Sequence, residues 1–208
     1  MEIEEYIAQH IDKEGEYLHR LYRATQTQLL YGRMASGHVQ GRLLKMLVEM
    51  IAPKQVLEIG TYSGYSALCM AEGLTEGGMV HTIEIFDELE DFTRPWIENS
   101  PWAEKVKFYI GDALEIVPHL GIKFDLAFID GNKREYVNYY NMTIQHMNKG
   151  GFILADNTLW DGHVLEPLPI NDEQTIGIMA FNDLIANDTR VEKVILPLRD
   201  GLTIIRIK

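Results

Sequence analysis

One cysteine, Cys69, occurs in 208 residues. That excludes an internal disulfide and a cysteine-built zinc site. Cys69 lies in the apolar stretch SALCMA and reads as a small core residue. No apolar run approaches the roughly 20 residues that a membrane-spanning helix needs. The opening MEIEEYIAQHIDKEG is acidic and amphipathic, without the basic start and apolar centre of a signal peptide. A cytoplasmic protein with no membrane attachment is therefore expected. Positive charge is also scarce: 19 Lys and Arg against 31 Asp and Glu give a net charge of −12. That balance disfavours non-specific binding to nucleic acid or anionic membrane. It tolerates cationic ligands, a divalent metal or a sulfonium among them. Internal repeats, low-complexity tracts and linkers are absent, and the length suits one domain.

What is present is an ordered alternation. Apolar spacings of three and four over residues 3–31 predict one or two amphipathic helices. Ser36 is placed to cap a further helix through residue 50, stopped by Pro53. Strands are predicted at VLEIG (56–60), VHTIEI (80–85), VKFYIG (106–111), FDLAFID (124–130) and GFILAD (151–156). Helices are predicted between them over 63–74, 87–99, a short stretch before Pro118, and 134–147. Such alternation implies right-handed crossovers and a parallel sheet. The tail departs from it. A helix over 172–187 leads to VEKVILPL (191–198), the turn Arg199-Asp200-Gly201, and LTIIRIK (202–208), an antiparallel hairpin. The predicted fold is thus α/β and Rossmann-like: a mostly parallel seven-stranded sheet ending in an antiparallel hairpin, with helices on both faces.

The dinucleotide pattern GxGxxG is missing from the first strand-to-helix turn. Residues 58–66 read EIGTYSGYS, with Tyr62 where the middle glycine would stand. Gly60 permits a tight turn and Gly64 permits close packing of the helix start. Tyr62 leaves less room for a pyrophosphate, so a smaller nucleoside ligand fits better. Glu84 ends the second strand, 20 residues beyond Gly64, where an acid either binds ribose hydroxyls or stands exposed at the strand end. Asp112, in Gly111-Asp112-Ala113 at the end of the third strand, either accepts from an adenine amino group or caps the next helix. Turn, strand-end acid, GDA and hairpin together point to S-adenosylmethionine rather than NAD.

Asp130 and Asp156 end the fourth and fifth predicted strands, and ligands of open parallel sheets sit at such ends. Two converging carboxylates repel unless a proton or cation lies between them. With the carbonyl of Asn157 they make an all-oxygen set that suits Mg²⁺, Mn²⁺ or Ca²⁺. Strand-end Asp residues also cap helices or bind ligand amines. Lys133 is either a proton acceptor near that set or a surface lysine at a helix start. Trp160 either walls the site or packs in the interior.

These residues place the chain near a known family. It resembles the cation-dependent, S-adenosylmethionine-dependent O-methyltransferases typified by caffeoyl-CoA O-methyltransferase, with catechol O-methyltransferase more distant. The likeness runs from about residue 34 to the C-terminus. It includes RMASGHVQGRLL, VLEIGTYSGYSAL, TIEI, GDAL, FDLAFIDGNK, YVNYY, GGFILADNTLW, FND and ILPLRDGLTIIRIK. The resemblance implies the class I methyltransferase fold and metal ligands at Asp130, Asp156 and Asn157. It implies cofactor contacts at Ser36, Glu58, Gly60, Thr61, Ser66, Glu84, Ala113 and Asn132, to which Asp112 and Asp130 are added. It places the catalytic lysine of the catechol enzymes on Lys133, beside Asp130. Tyr139 and Asp161 match positions facing substrate in the plant enzymes, and Trp160 joins them. Asn132 stands where the family usually has Asp, which removes a charge near the methionine end of the cofactor. Asp161 stands where the plant enzymes usually have Asn, which disfavours carrying over their substrate. Residues 1–33 do not align by motif with the plant substrate-binding segment and are expected to form a helical lid or dimer segment on a core of 34–208. Residues 166–175 read as a short specificity loop.

The activity expected is methyl transfer from S-adenosylmethionine to a hydroxyl of a small catechol-like or other vicinal-diol acceptor, assisted by a divalent cation, with Mg²⁺ first. A homodimer is expected by analogy with the family. Three alternatives stand beside it. Methylation of hydroxyuridine in tRNA is opposed by the acidic balance, although Arg20, Arg23, Arg33 and Arg42 could form a basic patch. A nicotinamide reductase is opposed by Tyr62. A silent S-adenosylmethionine-binding protein draws some support from Asn132.

Overall fold

The computed structural model describes residues 3–167 and 171–208, without the side chain of Glu4. Along the chain run α1 (Ile3–His10), α2 (Gly15–Gln28), α3 (Gly37–Ile51), β1 (Gln55–Ile59), α4 (Tyr65–Gly73), β2 (Met79–Glu84), α5 (Glu90–Glu98) and β3 (Val106–Ile110). Then follow α6 (Ala113–His119), β4 (Phe124–Ile129), α7 (Tyr136–Gln145), β5 (Met147–Ala155), α8 (Glu173–Asn187), β6 (Val191–Leu196) and β7 (Leu202–Ile207). The sheet order is β3-β2-β1-β4-β5-β7-β6. Only β7 runs against its neighbours, because β5–β7 and β6–β7 both pair antiparallel. The predicted parallel sheet with a closing hairpin is therefore what the chain forms.

The chain divides into two compact units. The first comprises Met1–Lys54 and Thr61–Ile110. Its core gathers Leu18 and Leu21 of α2 against Tyr65, Leu68 and Cys69 of α4, with Tyr17, Trp96 and Trp102 packed at the edge. Burial raises the Cys69 thiol to about 12, against a smaller lowering by Arg42, so the sulfur behaves as the apolar core atom expected of it. Arg42 is itself buried and pairs with Glu72 at 2.6 Å. It therefore does not contribute to an exposed basic patch.

The second unit comprises Gln55–Gly60 and Gly111–Lys208. β4 and β1 pair from Val56↔Leu126 to Ile59↔Ile129, and every β4 residue but Asp125 is fully buried. A near-continuous apolar run is what a strand covered on both faces requires. Tyr136 and Tyr140 of α7 pack edge-on against Phe181 of α8, with centroids 5.5 and 5.9 Å apart.

Three local expectations change. Ser36 precedes α3 with helical dihedrals and makes no side-chain capping bond. The helix ends before Pro53 as expected, with Ala52 in the left-handed region and its N–H donating to Val48 O. Pro118 lies inside α6 rather than after it. β5 starts at Met147, four residues before its predicted start, because a bulge separates the pairs Phe124↔Met147 and Leu126↔Phe152. Gly150 (φ 84°) turns that bulge, and a Cβ on Gly151 would lie 2.9 Å from Asp125 O. The glycine pair hid the strand's first half from its apolar pattern. The proposed loop 166–175 falls in part outside the described residues.

Candidate active site

Each unit holds one cluster of the predicted residues. In the first, the turn after β1 carries Tyr62 at φ 48° and Gly64 at φ 82°. A Cβ on Gly64 would sit 3.2 Å from Ile97, so glycine lets the start of α4 close on α5. Glu84, at the end of β2, is 4% exposed. Its Oε2 accepts from Tyr62 N at 2.7 Å and its Oε1 from Phe86 N at 3.1 Å. A carboxylate has about four acceptor sites, so two remain for other donors. Thr61 and Thr82 share a buried 2.5 Å hydroxyl bond, and Thr93 donates to Tyr62 O at 2.5 Å. The turn is thus pinned around Glu84 before any ligand arrives. Ser36 and Ser66 are buried in the same unit.

In the second unit, three strand ends meet in register. Asp130 N donates to Ile59 O at 2.9 Å, and Asp156 N donates to Ile129 O at 3.0 Å. Gly60 has φ 98°, and a Cβ there would run into the carbonyl of Asp130, whose carbon lies 2.8 Å away. Glycine at 60 therefore fixes where Asp130 sits. Tyr136 was not among the expected site residues, yet its fully buried phenol donates to Asp156 O at 2.9 Å and to Ile129 O at 3.2 Å. It ties the ends of β4 and β5 together. Burial raises its pKa; Lys133 opposes this, and the charges of Asp130 and Asp156 add to it. Both carboxylates therefore act on one phenol.

Lys133 Nζ lies 2.8 Å from Asp130 Oδ1 and 5.1 Å from the centre of the Tyr136 ring. Burial lowers its pKa, but the Asp130 charge and hydrogen bond outweigh that, and the net shift is upward. In this pairing Lys133 is an ammonium, not a base. A Cβ on Gly177 of α8 would lie 2.9 Å from Arg134 Cα, so that glycine lets α8 back the Lys133 turn. Gly177 is a support that the periodic pattern of α8 does not announce.

The remaining residues sort by position. Asp112 Oδ1 accepts from Leu114 N at 2.8 Å, so the capping role weighed for it is filled. Asn132 Oδ1 accepts from Arg134 N at 3.2 Å and caps the turn holding Lys133. Glu58 is fully buried in β1, and Ala113 opens α6. Tyr139 is 4% exposed, and a Cβ on Gly131 would come within 3.0 Å of its ring. It stands as a wall behind the Asp130–Gly131 turn. Asn157, Trp160 and Asp161 have φ of 58°, 46° and 50° in the loop after β5.

Asp130, Asp156 and Asn157 offer hard oxygen donors, with one Asp130 oxygen already holding an ammonium. That donor chemistry fits Mg²⁺ or Ca²⁺. Among the described residues no group of three His, Cys, Asp or Glu side chains is placed to hold a metal. A cation held by Asp130 and Asp156 would therefore need further ligands other than His, Cys, Asp or Glu.

Comparison with known proteins agrees with this layout. Residues 8–208 match the O-methyltransferase family. Tricin synthase 2 of Oryza sativa subsp. japonica is 36% identical over 205 residues, covering 93% of this chain and 70% of the relative. Caffeoyl-CoA O-methyltransferase of Stellaria longipes is 29% identical over 204 residues, covering 93% and 84%. Among solved structures, the O-methyltransferase TomG of Streptomyces achromogenes in complex with SAM superposes with TM-score 0.91 at 26% identity, covering 99% and 96%. The Bacillus cereus O-methyltransferase in complex with SAH gives 0.89 at 26%, covering 99% and 97%. The chain belongs to the O-methyltransferase family, with the fold of the class I S-adenosylmethionine-dependent methyltransferases. It is an enzyme of the caffeoyl-CoA O-methyltransferase-like group within it.

Proposed function

We propose that this protein transfers a methyl group from S-adenosylmethionine to one hydroxyl of a small vicinal diol, a catechol being the simplest case, with a divalent cation assisting. The observation that carries this reading is the register of Ile59, Asp130 and Asp156, which sets two carboxylates at neighbouring strand ends, with Gly60 against Asp130. Glu84, two of whose acceptor sites are unspent among the described residues, takes the ribose hydroxyls. Ser36, Glu58, Gly60, Thr61, Ser66, Asp112, Ala113, Asp130 and Asn132 complete the donor's surroundings. S-adenosylmethionine supplies an electrophilic methyl on its sulfonium; the new oxygen–carbon bond forms as the carbon–sulfur bond breaks.

Asp130, Asp156 and Asn157 would hold the cation, whose chemistry there is to lower the pKa of a bound hydroxyl and fix two adjacent oxygens. Lys133 has two states in this scheme. Paired with Asp130 it is an ammonium and stabilises a developing oxyanion by charge. Once the Asp130 charge is committed elsewhere, burial favours the neutral amine, which then accepts the hydroxyl proton. Trp160 and Asp161 face the acceptor, with Tyr139 behind the turn. Orientation of the two reacting groups supplies much of the acceleration. Residues 1–33, folded as α1 and α2, form the acceptor-side lid or dimer segment, and the working form is a cytoplasmic homodimer.

The test is initial-rate methyl transfer against vicinal diols, matched mono-hydroxy analogues and tRNA. The reading predicts O-methylation of a vicinal diol and none of its mono-hydroxy analogue. Modification of tRNA alone would transfer the reaction to a nucleic-acid acceptor. Donor binding with no turnover on any acceptor would leave a silent binding protein.

A further inference from the structure

The loop after β5 adopts a costly conformation. Asn157, Trp160 and Asp161 all have positive φ, followed by Gly162 at φ 84°. Each left-handed non-glycine residue carries a steric cost and persists only where its surroundings impose it. The imposing group is the turn of the β6–β7 hairpin. Thr158 N donates to Gly201 O at 3.1 Å, Leu159 N to Asp200 O at 2.8 Å and Trp160 N to Asp200 O at 3.3 Å. Asp161 N then donates to the Asp200 carboxylate, Oδ1, at 2.6 Å. Four successive amides of one loop are thus received by two residues of another. The far side of the loop is held as well: Asn182 donates to Thr158 O at 2.8 Å and Thr203 to the Thr158 hydroxyl at 2.7 Å. A Cβ on Gly201 would lie 2.7 Å from Leu159 N, so the turn must come this close.

We infer that Asp200 is a positioning residue for the acceptor side of the site. Its carboxylate fixes the amide of Asp161 and thereby sets the loop that presents Asn157, Trp160 and Asp161. Of the contacts between the two loops, three are made by backbone carbonyls and survive any substitution. The Asp200 side chain is the separable one, and it acts at the residue between the Trp160 ring and the Gly162 bend. Asp200 touches neither donor nor acceptor in this account. The kinetic part of the inference rests on the function proposed above; the structural part does not.

Two variants of the full chain test it, Asp200→Ala and Asp200→Asn, the second keeping an oxygen for the Asp161 amide. Loss of a hydrogen bond to a charged group corresponds to about a tenfold effect. Asp200→Ala is expected to raise acceptor KM about tenfold, to change the ratio of methylation between the two acceptor oxygens, and to leave donor KM unchanged. It is also expected to speed amide hydrogen exchange at Leu159, Trp160 and Asp161. Asp200→Asn is expected to restore both readouts toward the wild type. Equal kinetics for Ala and Asn, or a donor KM that rises with the acceptor KM, would overturn the positioning role. Unchanged exchange in Asp200→Ala would overturn the latch itself. If the wild-type chain methylates no acceptor, the proposed function fails, and the exchange measurement still decides the latch.

Discussion

Replacing Gly60 with alanine probes the contact between Gly60 and the Asp130 backbone. Two costs are expected. The first is conformational: Gly60 has φ 98°, and a left-handed alanine costs about 1–2 kcal/mol. The second is steric: the added Cβ meets the backbone carbonyl of Asp130, which cannot rotate away as a side chain would. Overpacking of this kind costs about 1–3 kcal/mol. Gly60→Ala should therefore lose about 2–5 kcal/mol. Gly77→Ala is the internal control, because Gly77 also has a positive φ of 75° but nothing within 4 Å of its Cβ position. It should bear the first cost alone, offset in part by about 0.4–1 kcal/mol from the stiffer unfolded chain. Urea unfolding of both variants gives the comparison, with equal m-values certifying that the midpoints are comparable. Gly60→Ala falling no further than Gly77→Ala would refute the argument that residue 60 sets the position of Asp130.

Three further outcomes follow from named contacts. Lys133→Met leaves the part-buried Asp130 carboxylate without its ammonium, which should cost about 3 kcal/mol at neutral pH and about a hundredfold or more in turnover; full activity at neutral pH would remove Lys133 from the chemistry. Glu84→Gln keeps acceptors for the amides of Tyr62 and Phe86 only in part, so donor affinity should fall about tenfold by calorimetry while acceptor KM holds; unchanged donor affinity would contradict the ribose role. His81 is buried and accepts from or donates to Tyr109 at 2.9 Å, and burial, then the Lys107 charge, pushes its pKa down to about 4. Because the folded pKa lies below the unfolded value of about 6.5, the unfolded chain binds the proton first as pH falls. Stability from this residue is then complete at pH 7 and lost between about pH 6.5 and about pH 4, by up to about 3 kcal/mol. His81→Gln should flatten that stretch of the unfolding-against-pH curve; an unchanged slope would contradict it.

Much of the architecture was legible because strand and helix periods alternate cleanly from Val56 onward. β1, β3, β4 and β5 each end directly before a Gly or an Asp: Gly60, Gly111, Asp130 and Asp156. The errors came where local chemistry competes with pattern. Ser36 has a capping side chain, but the backbone is already helical there, so the signal misled. The first half of β5 was hidden by Gly150 and Gly151, which serve a bulge rather than a strand face. Within the site, acids at strand ends could be read from position alone. What binds them together could not: Tyr136 reaches Asp156 O across a helix and a strand, and Asp200 reaches Asp161 across 39 residues. Tyr136 looks like one more tyrosine of α7, and Asp200 like an ordinary turn residue, until the fold sets each beside its partner. The protonation of Lys133 is of the same kind, since spacing brings an Asp near but does not say whether burial or charge prevails.

The central claim is that a methyl group passes to an oxygen held at Asp130, Asp156 and Asn157. It is tested most directly by methyl transfer from S-adenosylmethionine to a vicinal diol, measured on the purified chain after exhaustive chelation and again with Mg²⁺ restored. The account predicts O-methylated product that is lost on chelation and recovered with Mg²⁺, and no such recovery in Asp156→Ala. Undiminished transfer after chelation, or full activity in Asp156→Ala, would contradict it.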